Sequence, residues 1–332
     1  MKVKSKGVFS LKRELERYQE IEKSIITTYR KAIWKRFIEA INEYKLIEDG
    51  DKIAVCISGG KDSMLMAKCF QELKKHGNDN FDVEYICMNP GYNEANRKKI
   101  EENAKLLNVP IKFFDTNIFN VVTRIENNPC YICARMRRGY LYNKARELGC
   151  NKIALGHHFD DVIETILMGM LYGSQVQTMM PKLHSSFHKG MELIRPMYFV
   201  NEADVVAWAK KNNLEFLQCA CKFTEEYTKT NNKEGMSKRK EVKEMIAGLR
   251  KINPKVDINI FRSVENINLN TVISYVQDGK VHHFLDDYKE KGKIIDSRID
   301  EEMIAKKEKK FLLEMANGEY KEVDNTTMKI EE

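Results

Sequence analysis

Val55–Met64 reads VCISGGKDSM, an apolar run that ends in two adjacent glycines, a lysine, an aspartate and two serines. The apolar run is Ile53 to Ile57, and Met64 to Phe70 carries the apolar spacing of an amphipathic helix, so the turn lies between a strand and a helix. Small residues there let the backbone approach a ligand closely, and the first N–H groups of the following helix have no partners within the helix. Such a turn cradles an anion. An ordinary strand-to-helix turn is built with one glycine and no charge, whereas this one has Gly59 and Gly60, with Lys61 and Asp62, between Ser58 and Ser63. It is neither a Walker A loop, since no glycine four residues earlier precedes a Gly-Lys-Ser/Thr triplet, nor a GxGxxG dinucleotide turn.

Outward from this turn the pattern alternates. Strands are expected at 53–57, 83–88, 111–114 and 152–156, and helices at 63–76, 94–108, 135–148 and 161–172. Short apolar strands separated by helices imply an α/β fold, a doubly wound parallel sheet covered on both faces. Ligands of such sheets bind at the carboxyl ends of strands, near a switch in strand order. SGGKDS, MNPGYN and GHHFDD follow the first, second and fourth strands and can converge on one crevice. Upstream, Ile25, Tyr29, Ile33, Phe37, Ile41 and Tyr44 mark the packing stripe of one or two helices within residues 10–47. We therefore divide the chain into an N-terminal helical segment (1–50), a catalytic domain (51–222), and a basic helical region with a C-terminal extension (223–332).

The 332 residues are 42% hydrophobic and carry a net charge of +7, which fits a folded body with a weak preference for a polyanionic partner. No run of eighteen apolar residues occurs, so the expectation is a soluble, cytoplasmic protein without a membrane partner. Eight cysteines, scattered, are too few for a disulfide scaffold. Cys56, Cys69 and Cys87 fall in apolar patterns and are expected in the core. The stretch from Lys222 to Lys255 holds ten Lys/Arg against five Glu and reads as a loop followed by a basic helix.

Two further segments carry chemistry. ALGHHFDDVIET places Asp160, Asp161 and Glu164 where a helix N-terminus favours acids through its macrodipole. The same segment faces the phosphate turn in a doubly wound sheet, which makes Asp62 and Asp161 candidates to hold Mg²⁺ beside nucleotide phosphates. His157 and His158, adjacent on a strand end, point in opposite directions, so at most one faces the site. NPCYICARMRRGYLYNKAR holds Cys130 and Cys133 as a CxxC followed by Arg135, Arg137 and Arg138, and LQCACKF adds Cys219 and Cys221. The CxxC fits a redox couple, half a zinc site or part of an iron–sulfur cluster. The arginines suit either a solvated helix face or an RNA backbone.

Taken together, SGGKDS, CYICARMRRG, KIALGHHFDD, MPKLH, LIRPM and the late CAC resemble the tRNA 2-thiocytidine synthetase (TtcA) branch of the PP-loop ATP pyrophosphatases, over roughly Trp34 to Phe223. The resemblance implies ATP- and Mg²⁺-dependent thiolation of tRNA, at cytidine 32, through adenylation of the base carbonyl and a [4Fe-4S] cluster. It assigns Ser58, Gly59, Gly60, Lys61, Asp62 and Ser63 to ATP; beside them we expect Met88 and Gly156 at neighbouring strand ends to meet ATP, Lys61, Asp62 and Asp161 to serve catalysis, and Arg135, Arg137 and Arg138 to hold RNA. Cluster ligands are Cys130, Cys133 and Cys221, with Cys219 as the alternative. The family separates its late cysteines by two residues, whereas here only Ala220 intervenes. Partners implied are tRNA, a sulfur donor such as a cysteine desulfurase or sulfide, and a second copy in a homodimer. The competing readings are a related enzyme adenylating another nucleotide or a small metabolite, and a zinc-containing RNA binder without catalysis.

Overall fold

The computed structural model describes residues 15–77, 80–122, 129–217, 238–286 and 288. Six strands form one sheet in the order β3-β2-β1-β4-β6-β5. These are β1 (Lys52–Ile57), β2 (Asp82–Asn89), β3 (Ile111–Asp115), β4 (Lys152–Ala154), β5 (Lys182–His184) and β6 (Glu192–Ile194). All neighbours run parallel except the β5–β6 edge pair, which is antiparallel. Strand β1 is central, and from Ile53 onward every residue of it is buried. A strand buried on both faces must be a continuous apolar run rather than an alternating one, which is what IAVCI provides.

Strand order reverses at β1, whose neighbours are β2 on one side and β4 on the other. The two turns that follow β1 and β4 therefore leave adjacent strands at the same edge, the place where open α/β sheets bind ligands. Helices α3 (Lys61–His76), α4 (Glu94–Leu106), α5 (Ile118–Val122), α6 (Pro129–Glu147), α7 (Phe159–Gly173) and α8 (Glu202–Lys211) accompany the strands. Helix α6 begins upstream of the expected 135, with Pro129 in its first turn, a position where the missing N–H of proline costs nothing.

The N-terminal segment forms α1 (Arg17–Ile26), a π-helical turn (Arg30–Trp34) and α2 (Lys35–Glu43). Of the expected stripe, Ile25, Ile33, Phe37 and Ile41 are buried in the main core, and Tyr29 and Tyr44 pack against it. Helices α9 (Lys238–Ile252) and α10 (Val256–Ser263) cover α7 through a second core, in which Val242, Ile246 and Phe261 meet Phe159, Ile163 and Ile166. Cys56, Cys69 and Cys87 lie in the interior. Burial pushes the Cys87 thiol up to about 12, so it carries no reactive thiolate.

Residues 1–264 make one compact unit and 265–332 a second. Within the second, β7 (Ser274–Gln277) and β8 (Lys280–His283) pair as a hairpin through Asp278-Gly279, both with positive φ. Asp-Gly suits this turn because its twist matches that of the flanking strands.

Candidate active site

The turn after β1 closes on its own serines. Ser58 donates its N–H to Ser63 Oγ at 3.1 Å, the two hydroxyls lie 3.1 Å apart, and Ser63 donates to the Gly60 carbonyl at 3.0 Å. Gly59 has φ +84°, and a Cβ there would stand 2.6 Å from Ile100 Cγ1. Both backbone angle and space therefore demand glycine. Gly60 is the N-cap of α3 with no side chain over the helix end, which leaves the first-turn N–H groups open to an anion. Gly156 lies against the same turn: a Cβ on it would come 3.1 Å from the Ser63 nitrogen. Its role is to let the exit of β4 approach the first turn of α3.

Lys61 Nζ bridges two carboxylates, Asp62 Oδ2 and Glu202 Oε1, each at 3.2 Å. Burial works against its charge, but the two acids outweigh it and hold Lys61 above its ordinary range. Glu202, at the start of α8, also takes Lys243 of α9 on Oε2. Burial alone would raise its pKa; the Lys243 hydrogen bond and the Lys61 charge bring it down to about 2. The stability from this chain of charges is thus complete above the ordinary carboxylate range and is lost as pH falls toward 2. Urea midpoints measured from pH 5 down to pH 2 are expected to fall more steeply in the unaltered chain than in Glu202→Gln; parallel curves would remove the assignment.

At the end of β4, His158 caps α7 reciprocally with Asp161. His158 donates its N–H to Asp161 Oδ2 at 3.0 Å, and Asp161 donates its N–H to His158 Nδ1 at 3.4 Å. His158 Nε2 then lies 3.8 Å from Asp62 Oδ1. His157 turns elsewhere, accepting from Arg195 Nε at 3.3 Å. Burial and that guanidinium pull its pKa down to about 4, so it is neutral near pH 7. The remaining acids of the helix face α9: Arg239 binds Asp161 Oδ1 at 2.8 Å and Arg250 binds Asp160 at 2.6 Å.

A cavity of about 900 Å³ opens on this turn. Ser58, Gly60, Lys61 and Asp62 form one part of its wall, Arg137 of α6 another, and Glu202 with the segment Leu214–Leu217 a third. Leu217 reaches back to Gly59, and Cys219 follows two residues later in the sequence. Met88 does not line the cavity; it is buried with Ile118, Phe119 and Val122, and Phe119 is the one of these that reaches the lining. Cys133 packs, half-buried, against that same cluster. The side chain of Cys130, and all of Cys219 and Cys221, lie outside the described residues.

These features match a family. A model of the PP-loop domain covers residues 30–232. Among curated relatives, a tRNA-cytidine(32) 2-sulfurtransferase of Polaromonas naphthalenivorans (strain CJ2) is 35% identical over 251 residues, which cover 74% of each chain. The chain belongs to this PP-loop sulfurtransferase family. A second tRNA-cytidine(32) 2-sulfurtransferase, from Coxiella burnetii (strain RSA 331 / Henzerling II), is 32% identical over 75% of this chain and 91% of its own. Among solved structures, the U34-tRNA thiolase NcsA from Methanococcus maripaludis with its [4Fe-4S] cluster shares the fold, with TM-score 0.54, 22% identity, and coverage of 70% of this chain and 79% of that one.

The donor sets can be tested against the groups such a PP-loop site implies. Asp62 Oδ1 is buried and has no hydrogen-bond partner among the described residues, a free acceptor beside the phosphate turn that fits Mg²⁺. Asp161 fits less directly, because Arg239 and the His158 N–H already occupy its two oxygens. No cluster of three or more His, Cys, Asp or Glu ligands forms among the described residues. Cys130 and Cys133 lie three residues apart in α6. Glu202 is the participant that sequence reading missed, since an acid in the first turn of a helix reads as a response to the macrodipole. Among the described residues no helix is long and apolar enough to cross a membrane.

Proposed function

We propose that this chain thiolates tRNA, replacing the O2 of a cytidine, at position 32, by sulfur at the expense of ATP. The observation that carries the proposal is the single cavity shared by the phosphate turn and by Arg137, one helical turn beyond Cys133. It gives pyrophosphate and an activated base one shared space.

Ring oxygen is a poor leaving group, so it must first be activated. The cytidine O2 attacks the α-phosphorus of ATP; the O2–P bond forms, the bond from the α-phosphorus to the bridging oxygen breaks, and pyrophosphate leaves. The open N–H groups at the start of α3 and the Lys61 ammonium receive that charge. To do so Lys61 exchanges its contacts with Asp62 and Glu202 for phosphate oxygens. Asp62, with its unpartnered oxygen, would hold Mg²⁺, which neutralises phosphate charge. Hydrosulfide then adds to C2, its proton passes to solvent, the C2–O2 bond breaks and AMP departs, with no net oxidation. Cys130 and Cys133, with Cys221 or Cys219, would hold a [4Fe-4S] cluster, which would supply a binding place for sulfide. Water must stay out while the adenylate exists, and Leu214, Phe216 and Leu217 give one wall of the cavity apolar side chains. The tRNA backbone would lie on Arg135, Arg138 and the basic start of α9. The sulfide source is a cysteine desulfurase or free sulfide, and the working form is a homodimer in the cytoplasm.

The test is anaerobic reaction of the purified full chain with unmodified tRNA, ATP, Mg²⁺ and sulfide, followed by mass spectrometry of the nucleosides. The expected result is 2-thiocytidine at position 32 in an amount matching AMP formed. Sulfur at another nucleotide would move the target while keeping the chemistry; AMP and tRNA both unchanged would overturn the proposal.

A further inference from the structure

Three arginines follow Cys133 on α6, and the helix sorts them. Cys133, Met136, Arg137 and Leu141 stand at i, i+3, i+4 and i+8, one stripe of a helix. Cys133, Met136 and Leu141 of that stripe pack against the cluster of Met88 and Phe119, and Arg137 lines the cavity beside Phe119, Ser58 and Lys61. Arg135 and Arg138 do not share it. Both are exposed, and the Arg135 guanidinium lies 5.8 Å from the ring centre of Phe187, which is itself 80% exposed.

The charges in the cavity are also unequal. Lys61 is held by Asp62 and Glu202, whereas Arg137 forms no ion pair among the described residues and is only partly exposed. A half-enclosed guanidinium with no carboxylate on it among the described residues presents a planar fork of donors, the arrangement that suits phosphate oxygens. Its place on the cysteine-bearing helix sets it apart from the turn that takes the leaving pyrophosphate. The phosphate that must stand between that turn and the cysteines is the one that stays with adenosine.

We propose that Arg137 contacts the nucleotide, holding the α-phosphate of ATP on the cysteine side of the cavity, and is not part of the RNA-backbone surface. This rests on the reading of the cavity as the ATP site. Titrations of the full chain with ATP, AMP, pyrophosphate and tRNA test it in Arg137→Met, Arg137→Lys and the double variant Arg135→Ala/Arg138→Ala. Arg137→Met is expected to weaken ATP and AMP alike, by about 10- to 100-fold, and to leave pyrophosphate affinity, tRNA affinity and its salt dependence unchanged. Arg137→Lys, which keeps charge without the fork, should recover part of the loss, and it serves as the test if the methionine variant does not fold. The double variant should do the reverse, weakening tRNA and flattening its salt dependence. Unchanged ATP and AMP affinity in Arg137→Met, or a loss confined to tRNA, overturns the proposal alone. Absence of ATP binding by the unaltered chain overturns the cavity reading and the proposal together.

Discussion

Replacing Lys61 by methionine is expected to slow ATP-dependent AMP formation by about 10²- to 10³-fold, the usual consequence of removing one fixed donor from a developing oxyanion. The side chain keeps its length and apolar stem, so the Ser58–Ser63 closure that shapes the turn survives. What is lost is the ammonium that sits 3.2 Å from both Asp62 and Glu202. Those acids then face each other and the incoming triphosphate without a cation between them, so ATP affinity should fall as well. Single-turnover measurement at saturating ATP separates the two effects. A rate within about threefold of the unaltered chain would show that pyrophosphate leaves without help from Lys61.

Cys133→Ser is the other large effect, and it should separate the two halves of the reaction. Cys133 belongs to the apolar cluster next to the cavity and not to the phosphate turn. ATP binding should therefore persist while 2-thiocytidine falls by more than about 100-fold, together with loss of bound iron and sulfide, because a hydroxyl does not replace a thiolate on a cluster. A serine variant that still transfers sulfur would remove Cys133 from the chemistry. One that keeps iron but loses ATP binding would place it in the nucleotide site instead.

Much of this site was legible in the residues. SGGKDS could be read as a tight turn with an open helix end because that is a backbone property: the requirement for glycine at 59 comes from φ and from contact with Ile100, and sequence records such requirements directly. The alternation that gave the parallel strands was equally plain, since the central strand is apolar from Ile53 to Ile57. The antiparallel edge of β5 and β6 escaped, being two segments of three residues with no length over which a period could show. The Asp-Gly hairpin at 278–279 carried a turn signal that was passed over.

The surroundings of these side chains were not legible in the sequence, for one reason. Arg135, Arg137 and Arg138 look alike in sequence, and only the helix angle sends Arg137 to the cavity wall while its neighbours face outward. Asp161 looked like a free carboxylate until α9, arriving from seventy-eight residues away, set Arg239 on it. Glu202 became a partner of Lys61 across 141 residues of chain. No local pattern encodes an ion pair of that separation.

By itself, then, the sequence determined where the backbone could turn, which strands had to be interior, and that a phosphate turn and a pair of thiols existed in one chain. Those are local matters of dihedral freedom, apolar period and side-chain type. The tertiary structure alone decided which charges meet: that Lys61 lies between Asp62 and Glu202, that Arg239 covers Asp161, and that Arg137 rather than Arg135 or Arg138 enters the cavity. Electrostatic partnership depends on distance in space, and the crossing of strand order at β1 sets that distance by bringing together residues the chain keeps far apart.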